Sequence, residues 1–319
     1  MSHINRFLAL ALLLLAVPAA AVSNTAGTSG AQFLKLGSGA RAAAMGDAFT
    51  AIADDAFAAY YNPAGLARLA RPQFGGAHSA MFEGVGYQSL SFVVPFGRDE
   101  RIENEGNKHA LGLSVYYLGV GDIERRSGDS TNAVGTFSAG DSAYAASYSY
   151  APTDRLSLGA TGKYIHQTID SYSGSAMAAD LGVLYRLNPS SQRPVTVAGS
   201  VRNVGPGIGY AGQKDPLPTT VVVAGAVAVT KGITFDLDLG KTRDSSVYAA
   251  LGGEGRRELT EGIIGAVRAG YNSSRRDIGG LAGLSAGGGL IFPKAAVDMA
   301  WIPFGTLGDA FRFSLLIKF

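Results

Sequence analysis

The chain has 319 residues, a formal net charge of +2 and no cysteine. A charge so close to zero gives no electrostatic attraction to nucleic acid, and the lack of cysteine excludes a thiol nucleophile, a disulfide framework and a thiolate metal site. Only 16% of the residues are charged and 44 are glycine, whereas roughly 25% of a soluble domain is charged, so the composition favours many short strands and turns with little charged surface in water.

Residues 1–21 are predicted to be a signal peptide. Arg6 supplies the positive charge, residues 7–17 (FLALALLLLAV) the apolar stretch, and Ala19 and Ala21 the small residues of a cleavage site. The apolar stretch is too short to span a membrane, so we expect cleavage after Ala21 rather than an uncleaved anchor. No cysteine follows this site, which excludes a lipoprotein anchor.

The next part of the chain differs from everything after it. Residues 22–30 (VSNTAGTSG) are small and polar, and we expect them to be a flexible N-terminus of the mature protein. Residues 31–71 are rich in alanine. Asp54 or Asp55 is suited to cap a short helix, and Pro63 to open a second one at its first position. This stretch is therefore predicted to be compact and partly helical.

From about residue 72 the hydrophobic pattern has a period of two. In ITFDLDL (233–239) the apolar residues share one face, and Asp236 and Asp238 share the other. About fourteen segments follow this rule, most of them roughly 9–11 residues long, the length of a tilted membrane-spanning strand. They lie near 73–80, 86–96, 109–119, 143–151, 155–168, 176–187, 194–203, 218–229, 232–240, 247–256, 262–271, 280–292, 295–302 and 310–319. A β-sandwich has shorter strands and a propeller shows a blade repeat, so the pattern predicts an all-β fold, a closed antiparallel transmembrane β-barrel.

The connections between these segments favour the same fold. An even strand count places both ends of the barrel in the periplasm, so connections should alternate between short periplasmic turns and longer outer loops. Residues 152–154 and 230–231 fit the short class, and 120–142 and 204–217 fit the long class. Two connections break the rule: 98–107 is long but periplasmic, and 81–85 is short but on the outer side.

Charged residues on the polar faces of the strands should point into the lumen, because charges facing hydrocarbon are costly. They are Lys163, Asp180, Arg186, Arg202, Asp236, Asp238, Glu254, Arg268, Asp298 and Arg312. We expect most of them to form a satisfied polar network and a few to line a permeation path.

No residue pattern points to catalysis. His78, His109 and His166 are isolated and lack metal-ligand spacing. The glycine-rich stretches 205–209 and 279–289 lack the strand–turn–helix context and the Lys-Ser/Thr of a phosphate-binding loop. We therefore predict a non-enzymatic protein without a catalytic residue, cofactor or metal.

The N-terminal part carries a family resemblance. FLKLGSGARAAAMGDAFTA (33–51) and ADDAFAAYYNPAGLA (53–67) resemble the start of the PorV/PorQ family, within the FadL-like outer-membrane group, and Asn62-Pro63-Ala64-Gly65 is similar to the hatch element of FadL. The resemblance implies a barrel of about fourteen strands over residues 72–319. It also implies that residues 22–71 form an N-terminal segment and a hatch at the periplasmic end of the lumen. The terminal Phe319, after the alternating strand FRFSLLIKF, would be the aromatic residue read by the barrel-assembly machinery.

The resemblance implies three possible functions. PorV relatives serve type IX secretion, which predicts a role in protein export or surface attachment, with cargo proteins or secretion components as partners. FadL relatives carry small hydrophobic molecules through the barrel wall, which is the alternative, and a purely structural barrel is the third. In each case the protein lies in the bacterial outer membrane, in contact with its lipid, and binds no nucleic acid.

Overall fold

A closed antiparallel barrel forms the wall of the molecule. The computed structural model describes residues 26–98, 107–129, 131–210 and 212–319, and the predicted signal peptide lies outside these residues. Within the described residues fourteen strands close into one barrel, and two further strands, β8 and β9, form a separate hairpin. The predicted fold class is therefore confirmed. The strands are β1 Gln73–Ala80, β2 Gly86–Arg98, β3 Asn107–Arg125, β4 Gly135–Tyr150, β5 Leu156–Ile169, β6 Tyr172–Arg186, β7 Val195–Val204, β8 Ile208–Tyr210, β9 Gln213–Asp215, β10 Thr220–Thr230, β11 Ile233–Thr242, β12 Val247–Thr260, β13 Ile263–Asn272, β14 Leu284–Ile291, β15 Ala295–Pro303 and β16 Asp309–Lys318.

The last strand closes the barrel by pairing with the first. Gln73 of β1 is opposite Lys318 of β16, and the Phe319 N–H donates a hydrogen bond to the Pro72 carbonyl at 3.0 Å. The rim where both strands meet also carries the two-residue turn 231–232, which is typical of the periplasmic side. We call this rim the periplasmic end and the opposite rim the outer end. Among the described residues, no helix is long and apolar enough to cross a membrane.

The predicted alternation sorts the side chains between lipid and lumen. In β16, Phe311, Phe313 and Leu315 point outward and are exposed, while Arg312 and Ser314 between them are buried in the lumen. Because the outward residues are apolar, the exposed wall matches the hydrocarbon of a membrane rather than water.

The outer loop predicted at 204–217 contains the β8–β9 hairpin. The hairpin folds inward over the lumen, so Ile208 and Leu217 are each only 1% exposed. Both belong to one apolar cluster with Phe33 and Leu34 of the N-terminal segment. This connection therefore covers the outer end of the lumen.

Residues 26–71, hereafter the hatch, occupy the lumen. They contain two short α-helices, α1 (Ala40–Ala44) and α2 (Ala58–Tyr61), and two 3₁₀ turns, Gln32–Lys35 and Pro63–Arg68. The two helix starts predicted from the sequence differ in detail. Phe57 is the residue that precedes α2, and Asp55 accepts a hydrogen bond from the Phe57 N–H at 2.9 Å instead of capping the helix. Pro63 begins a 3₁₀ turn rather than an α-helix.

The hatch extends over the whole depth of the lumen. At the outer end, Gly30 N–H donates to Pro216 O at 2.9 Å; at the periplasmic end, Arg68 donates to the Arg155 carbonyl at 2.8 Å. The hatch therefore occupies more of the lumen than the periplasmic end, where the resemblance placed it. Residues 22–25 of the expected free terminus lie outside the described residues. Ser29 and Gly30 at its end are not free, because acceptors at the outer end of the wall bind their backbone. The acceptor for the Ser29 N–H, for example, is Asp244.

Candidate functional site: the hatch and the cavity above it

The hatch packs against the wall through small residues on both sides. The alanines of residues 31–67 are almost fully buried, and the wall facing them is rich in glycine. A Cβ atom on Gly159 would lie 2.3 Å from the Ala64 nitrogen, and one on Gly270 would lie 2.1 Å from the Gly46 nitrogen. Both distances are far below van der Waals contact, so only glycine allows the hatch backbone to lie directly on these strands.

The hatch motif Asn62–Gly65 joins two hatch segments to the wall. The buried Asn62 side chain donates to Thr50 O and to Val183 O of β6, each at 3.1 Å, and accepts from the Ala64 N–H at 3.1 Å. Pro63 then begins the 3₁₀ turn, where a missing N–H costs no hydrogen bond. Gly65 is required because a Cβ there would lie 1.9 Å from the Ala53 carbonyl oxygen. The motif thus fixes the periplasmic part of the hatch.

An ion-pair cluster at mid-depth holds the hatch to β12, and we call it the Arg41 cluster: Arg41, Asp54, Asp55, Glu254, Arg268 and Asp298. Arg41 of α1 binds both carboxylate oxygens of Glu254, with Nε–Oε2 at 2.9 Å and Nη2–Oε1 at 3.0 Å. It also pairs with Asp54 and Asp55 in the hatch. Arg268 bridges Glu254 and Asp298, each at 2.7 Å. Burial and bidentate geometry make such pairs strong constraints on position.

The Arg41 cluster makes the stability of the hatch depend on pH. Burial raises the pKa of Asp55 to about 6, while Arg41 opposes this rise. In the unfolded chain the pKa is about 3.9, so between about pH 4 and 6 the folded hatch holds a proton that the unfolded chain releases. The contribution of Asp55 therefore falls as the pH rises through this window, by at most about 1.4 kcal/mol per pH unit.

We expect Asp55→Asn to flatten this pH dependence. The measurement is the urea concentration at which residues 26–71 become sensitive to protease, at pH 4, 5 and 6. The control is Asp309→Asn, because Asp309 is exposed at the outer end of β16. A pH profile of Asp55→Asn that overlays the wild-type profile would contradict the assignment.

A second anchor holds the outer part of the hatch. Asp244, between β11 and β12, accepts from Lys35 Nζ at 2.8 Å, from Gln32 Nε2 at 2.8 Å and from Ser29 N at 3.4 Å. Although burial raises the pKa of Asp244, hydrogen bonds from Lys35 and Gln32 lower it below its usual value. The anchor is therefore charged at neutral pH.

We expect Asp244→Asn to release this segment, because the ion pair with Lys35 is lost and the remaining acceptor is neutral. The absence of cysteine makes Ser29→Cys a unique reporter. Labelling of this cysteine by a membrane-impermeant maleimide should accelerate roughly tenfold, which corresponds to the loss of one charge-assisted interaction. Asp309→Asn is the matched control, and an unchanged rate in Asp244→Asn would show that the segment is held elsewhere.

The structure places the other predicted lumen charges on the inner side of the wall. Lys163 and Asp180 form a fully buried pair at 2.6 Å. Asp236 and Asp238 accept from the hatch, with Ile52 N–Asp236 Oδ2 at 3.3 Å and Thr50 Oγ1–Asp238 Oδ2 at 2.6 Å. These four side chains are thus committed to the wall or to the hatch.

Two predicted arginines lie nearer the two ends of the lumen. Arg186 is half-buried at the periplasmic end of β6, close to Arg68. Burial and the neighbouring Arg186 lower the pKa of Arg68 to about 9. Arg202 of β7 lies nearer the outer end, and its guanidinium group stacks against the ring of Tyr60.

Sequence reasoning missed Arg41, Asn203 and Asp244 as site residues. A charge within an alanine-rich stretch such as 40–44 was a usable signal, because a buried charge requires a partner. No comparable signal marks Asn203, which accepts from Lys163 at 2.8 Å, or Asp244.

A cavity of about 220 Å³ lies between the hatch and the outer end of the lumen, and we call it the outer cavity. Its lining combines apolar side chains of the hatch and wall with hydroxyl and charged groups. They include Leu34, Lys35, Tyr60, Arg202, Tyr248, Arg275, Phe304 and Arg312. Among the described residues no group of three or more His, Asp or Glu side chains is placed to hold a metal ion. The arrangement is suited to plugging the lumen and to binding a small molecule above the plug.

The family model described as Type IX secretion system protein PorV matches residues 19–238, which include the whole hatch and the strands from β1 into β11. The chain belongs to the PorV family. Membership in the PorV family and the barrel fold place the protein in the bacterial outer membrane. The part of the chain beyond residue 238 completes the barrel, as the pairing of β16 with β1 requires.

The fold is similar to that of two solved transporters. TbuX, the toluene transporter of Ralstonia pickettii, is 13% identical with a TM-score of 0.57, and the match covers 89% of this chain and 98% of that chain. The P. putida toluene transporter TodX is 10% identical with a TM-score of 0.58, covering 89% of this chain and 99% of that chain. At such identities the likeness concerns the fold alone. No curated protein matches the chain.

Proposed function

We propose that this protein takes part in protein export or surface attachment in the bacterial outer membrane, as a member of a type IX-like secretion system. The observation that carries the proposal is the match of the PorV family model over residues 19–238. Secreted cargo proteins or other secretion components would be its partners.

The geometry of the lumen supports a docking role better than an open channel. The hatch binds the wall at its outer, middle and periplasmic levels, through Asp244, Glu254 and Val183. A lumen tied at three levels does not admit a folded protein. Cargo would therefore be bound at the rim or by other components rather than threaded through this barrel.

The test compares surface proteins with and without the gene. Intact cells of a deletion strain are shaved with protease, and the released peptides are quantified by mass spectrometry. Exported proteins should leave the surface fraction and accumulate inside the cell, and a plasmid-borne copy should restore them. Unchanged abundance of other outer-membrane barrels is the control for general envelope damage. A surface proteome identical to that of the wild type would contradict the proposal.

A FadL-like conduit for small hydrophobic molecules is the second candidate. The likeness to TbuX and TodX favours it at the level of fold, and Leu34, Leu36 and Phe304 give the outer cavity an apolar portion. Liposomes that contain the protein would then take up a hydrophobic substrate faster than empty liposomes, and deletion of residues 31–71 would change that rate. A surface proteome unchanged by the deletion, together with uptake no faster than in empty liposomes, would favour the third candidate, a structural barrel.

The role of Phe319 in assembly can be separated from its role in the folded barrel. Phe319 is 64% exposed, and its backbone N–H donates a hydrogen bond to the Pro72 carbonyl. We therefore expect Phe319→Ala to lower the amount of assembled barrel in cells while leaving refolding into detergent unchanged. The measurement is the fraction with shifted mobility in unheated gel samples, with Phe313→Ala, an outward aromatic of the same strand, as control. Equal loss in both assays would indicate a stability effect instead of recognition by the assembly machinery.

A further inference from the structure

The outer cavity contains more buried positive charge than its carboxylates neutralise. Four cationic side chains line it: Lys35, Arg202, Arg275 and Arg312. Lys35 pairs with Asp244 at 2.7 Å, and Arg275 pairs with Asp47 at 3.0 Å. Within the described ranges, neither Arg202 nor Arg312 lies within 4.0 Å of a carboxylate oxygen, although both are more than nine-tenths buried.

Arg202 is held in place by neutral groups. Its guanidinium carbon lies 5.1 Å from the centre of the Tyr60 ring, and its Nη1 is 3.5 Å from the Tyr60 carbonyl oxygen, which is a weak contact. Its Nε is buried without a hydrogen-bond partner among the described residues. Asp180 and Asp238 are near enough to interact electrostatically, but Asp180 already pairs with Lys163, and neither carboxylate lies within 4.0 Å of the Arg202 guanidinium.

Arg312 is oriented in a similar way on the opposite part of the wall. Its Nε donates to Ser79 Oγ and its Nη1 to Gly37 O, each at 2.6 Å, and its guanidinium carbon lies 5.7 Å from the centre of the Tyr87 ring. Both hydrogen-bond acceptors are neutral. These contacts fix the direction of the side chain and leave its charge uncompensated.

We propose that the outer cavity binds small anions with a carboxylate or phosphate group at the guanidinium groups of Arg202 and Arg312, which both line it. A buried guanidinium without a counter-ion is costly, and oxyanions match its planar set of donors. The hydroxyl group of Tyr248 lines the same space and can donate a further hydrogen bond. The hydroxyl of Thr220 donates instead to the Pro218 carbonyl, and that of Thr242 is hydrogen-bonded to Thr220. This inference goes beyond the role in export and does not rest on it.

The cavity volume limits the size of the ligand. At about 220 Å³ the cavity is smaller than the roughly 300–1,000 Å³ of pockets for drug-sized molecules. A free phosphate or short carboxylate fits the volume, and so does the head group of an anionic lipid whose tail remains outside. Apolar contacts with Leu36, Ile302 and Phe304 suit a short hydrocarbon portion beside the charged group.

The first experiment measures binding to the full barrel in a neutral detergent by isothermal titration calorimetry. The probes are inorganic phosphate and butyrate, with butyramide as the uncharged counterpart of butyrate. At least one of the two anions should bind saturably and butyramide should not. Absence of saturable binding for both anions would overturn the proposal.

Variants then assign the binding to the two arginines. Arg202→Gln and Arg312→Gln should each weaken the binding roughly tenfold, as expected for a charge-assisted hydrogen bond. Arg193→Gln is the control, because Arg193 is exposed in the periplasmic turn after β6 and the charge change is the same. Equal weakening in all three variants would overturn the proposal, because it would reflect net charge alone.

A measurement on the unchanged protein covers the case in which a variant does not fold. Phenylglyoxal modifies accessible guanidinium groups, and phosphate should slow the modification of Arg202 and Arg312 but not of Arg193, as mapped by mass spectrometry. Equal rates with and without phosphate would overturn the proposal. Micelles doped with dodecyl phosphate identify the source of the ligand. If dodecyl phosphate displaces bound inorganic phosphate, the ligand is a lipid head group; if inorganic phosphate stays bound, the ligand is a free anion. Either result supports an anion site.

Discussion

Replacement of Arg41 by glutamine is expected to open the lumen. Arg41 is buried and binds Glu254, Asp54 and Asp55. Removal of its charge leaves the buried Asp55 without its cationic partner, while Glu254 keeps its pairs with Arg256 and Arg268. Breaking a buried pair costs about 3–5 kcal/mol. Since the cluster joins α1 to β12 at mid-depth, the loss should fall on the attachment of the hatch, while the strand ladder of the barrel is retained.

The measurement for Arg41→Gln is ion current across a planar lipid bilayer, together with trypsin cleavage within residues 26–71. We expect larger and more frequent current steps and faster cleavage than in the wild type. Arg71→Gln is the matched control, because it removes the same charge from an exposed position at the periplasmic end of the hatch. If Arg41→Gln shows wild-type current and a normal heat-dependent shift in gel mobility, the Arg41 cluster does not hold the hatch in place.

Replacement of Gly159 by valine should displace the hatch without altering any charge. Even a Cβ atom at this position would lie 2.3 Å from the Pro63 carbonyl carbon and from the Ala64 nitrogen. These are backbone atoms that cannot rotate away, so the added side chain forces the Pro63–Arg68 turn off β5. Overpacking of this kind costs about 1–3 kcal/mol or more. We expect increased ion current and loss of the hydrogen bonds of Asn62 to the wall.

Gly162 of the same strand provides the control for Gly159→Val. Its side chain position faces lipid and no atom lies within 4 Å of a Cβ built there. Gly162→Val therefore introduces the same residue into the same strand and should leave the current and the barrel stability unchanged, since valine is favourable in strands. Similar currents in the two variants would show that the close approach of the hatch to β5 does not seal the lumen.

Local sequence patterns were sufficient for the number of wall strands and for the side that each residue faces. They were wrong about the outer loop at 120–142, because β3 (Asn107–Arg125) and β4 (Gly135–Tyr150) extend into it. The alternation in 233–239 placed Asp236 and Asp238 on the same face, and the structure has both buried on the lumen side. The alternation in 311–319 likewise predicted outward aromatics and a buried Arg312. Such inferences succeed because side chains of a strand alternate with a period of two, whatever the strand pairs with. The length of each segment then fixed a membrane-spanning barrel.

Local patterns were not sufficient for the contents of the lumen. The composition of 22–30 suggested a flexible terminus, yet Ser29 and Gly30 are held by Asp244 and Pro216 of the outer end. Asp55 was expected to cap a helix, but Arg41 and the Phe57 N–H engage its carboxylate. In each case the partner depends on how the hatch lies in the barrel. A short stretch of sequence carries no information about that placement.

The sequence by itself determined the class of fold, the lumen side of the charged residues and the family, because these depend on periodicity, on the cost of charge in hydrocarbon and on a local motif. Only the tertiary structure decided how deep the hatch extends and which charges are neutralised. Arg41 and Glu254 are separated by 213 residues, and Ser29 and Asp244 by 215. Closure of the barrel is what brings such residues within hydrogen-bond distance, and it is also what leaves Arg202 and Arg312 facing the outer cavity without a carboxylate partner among the described residues.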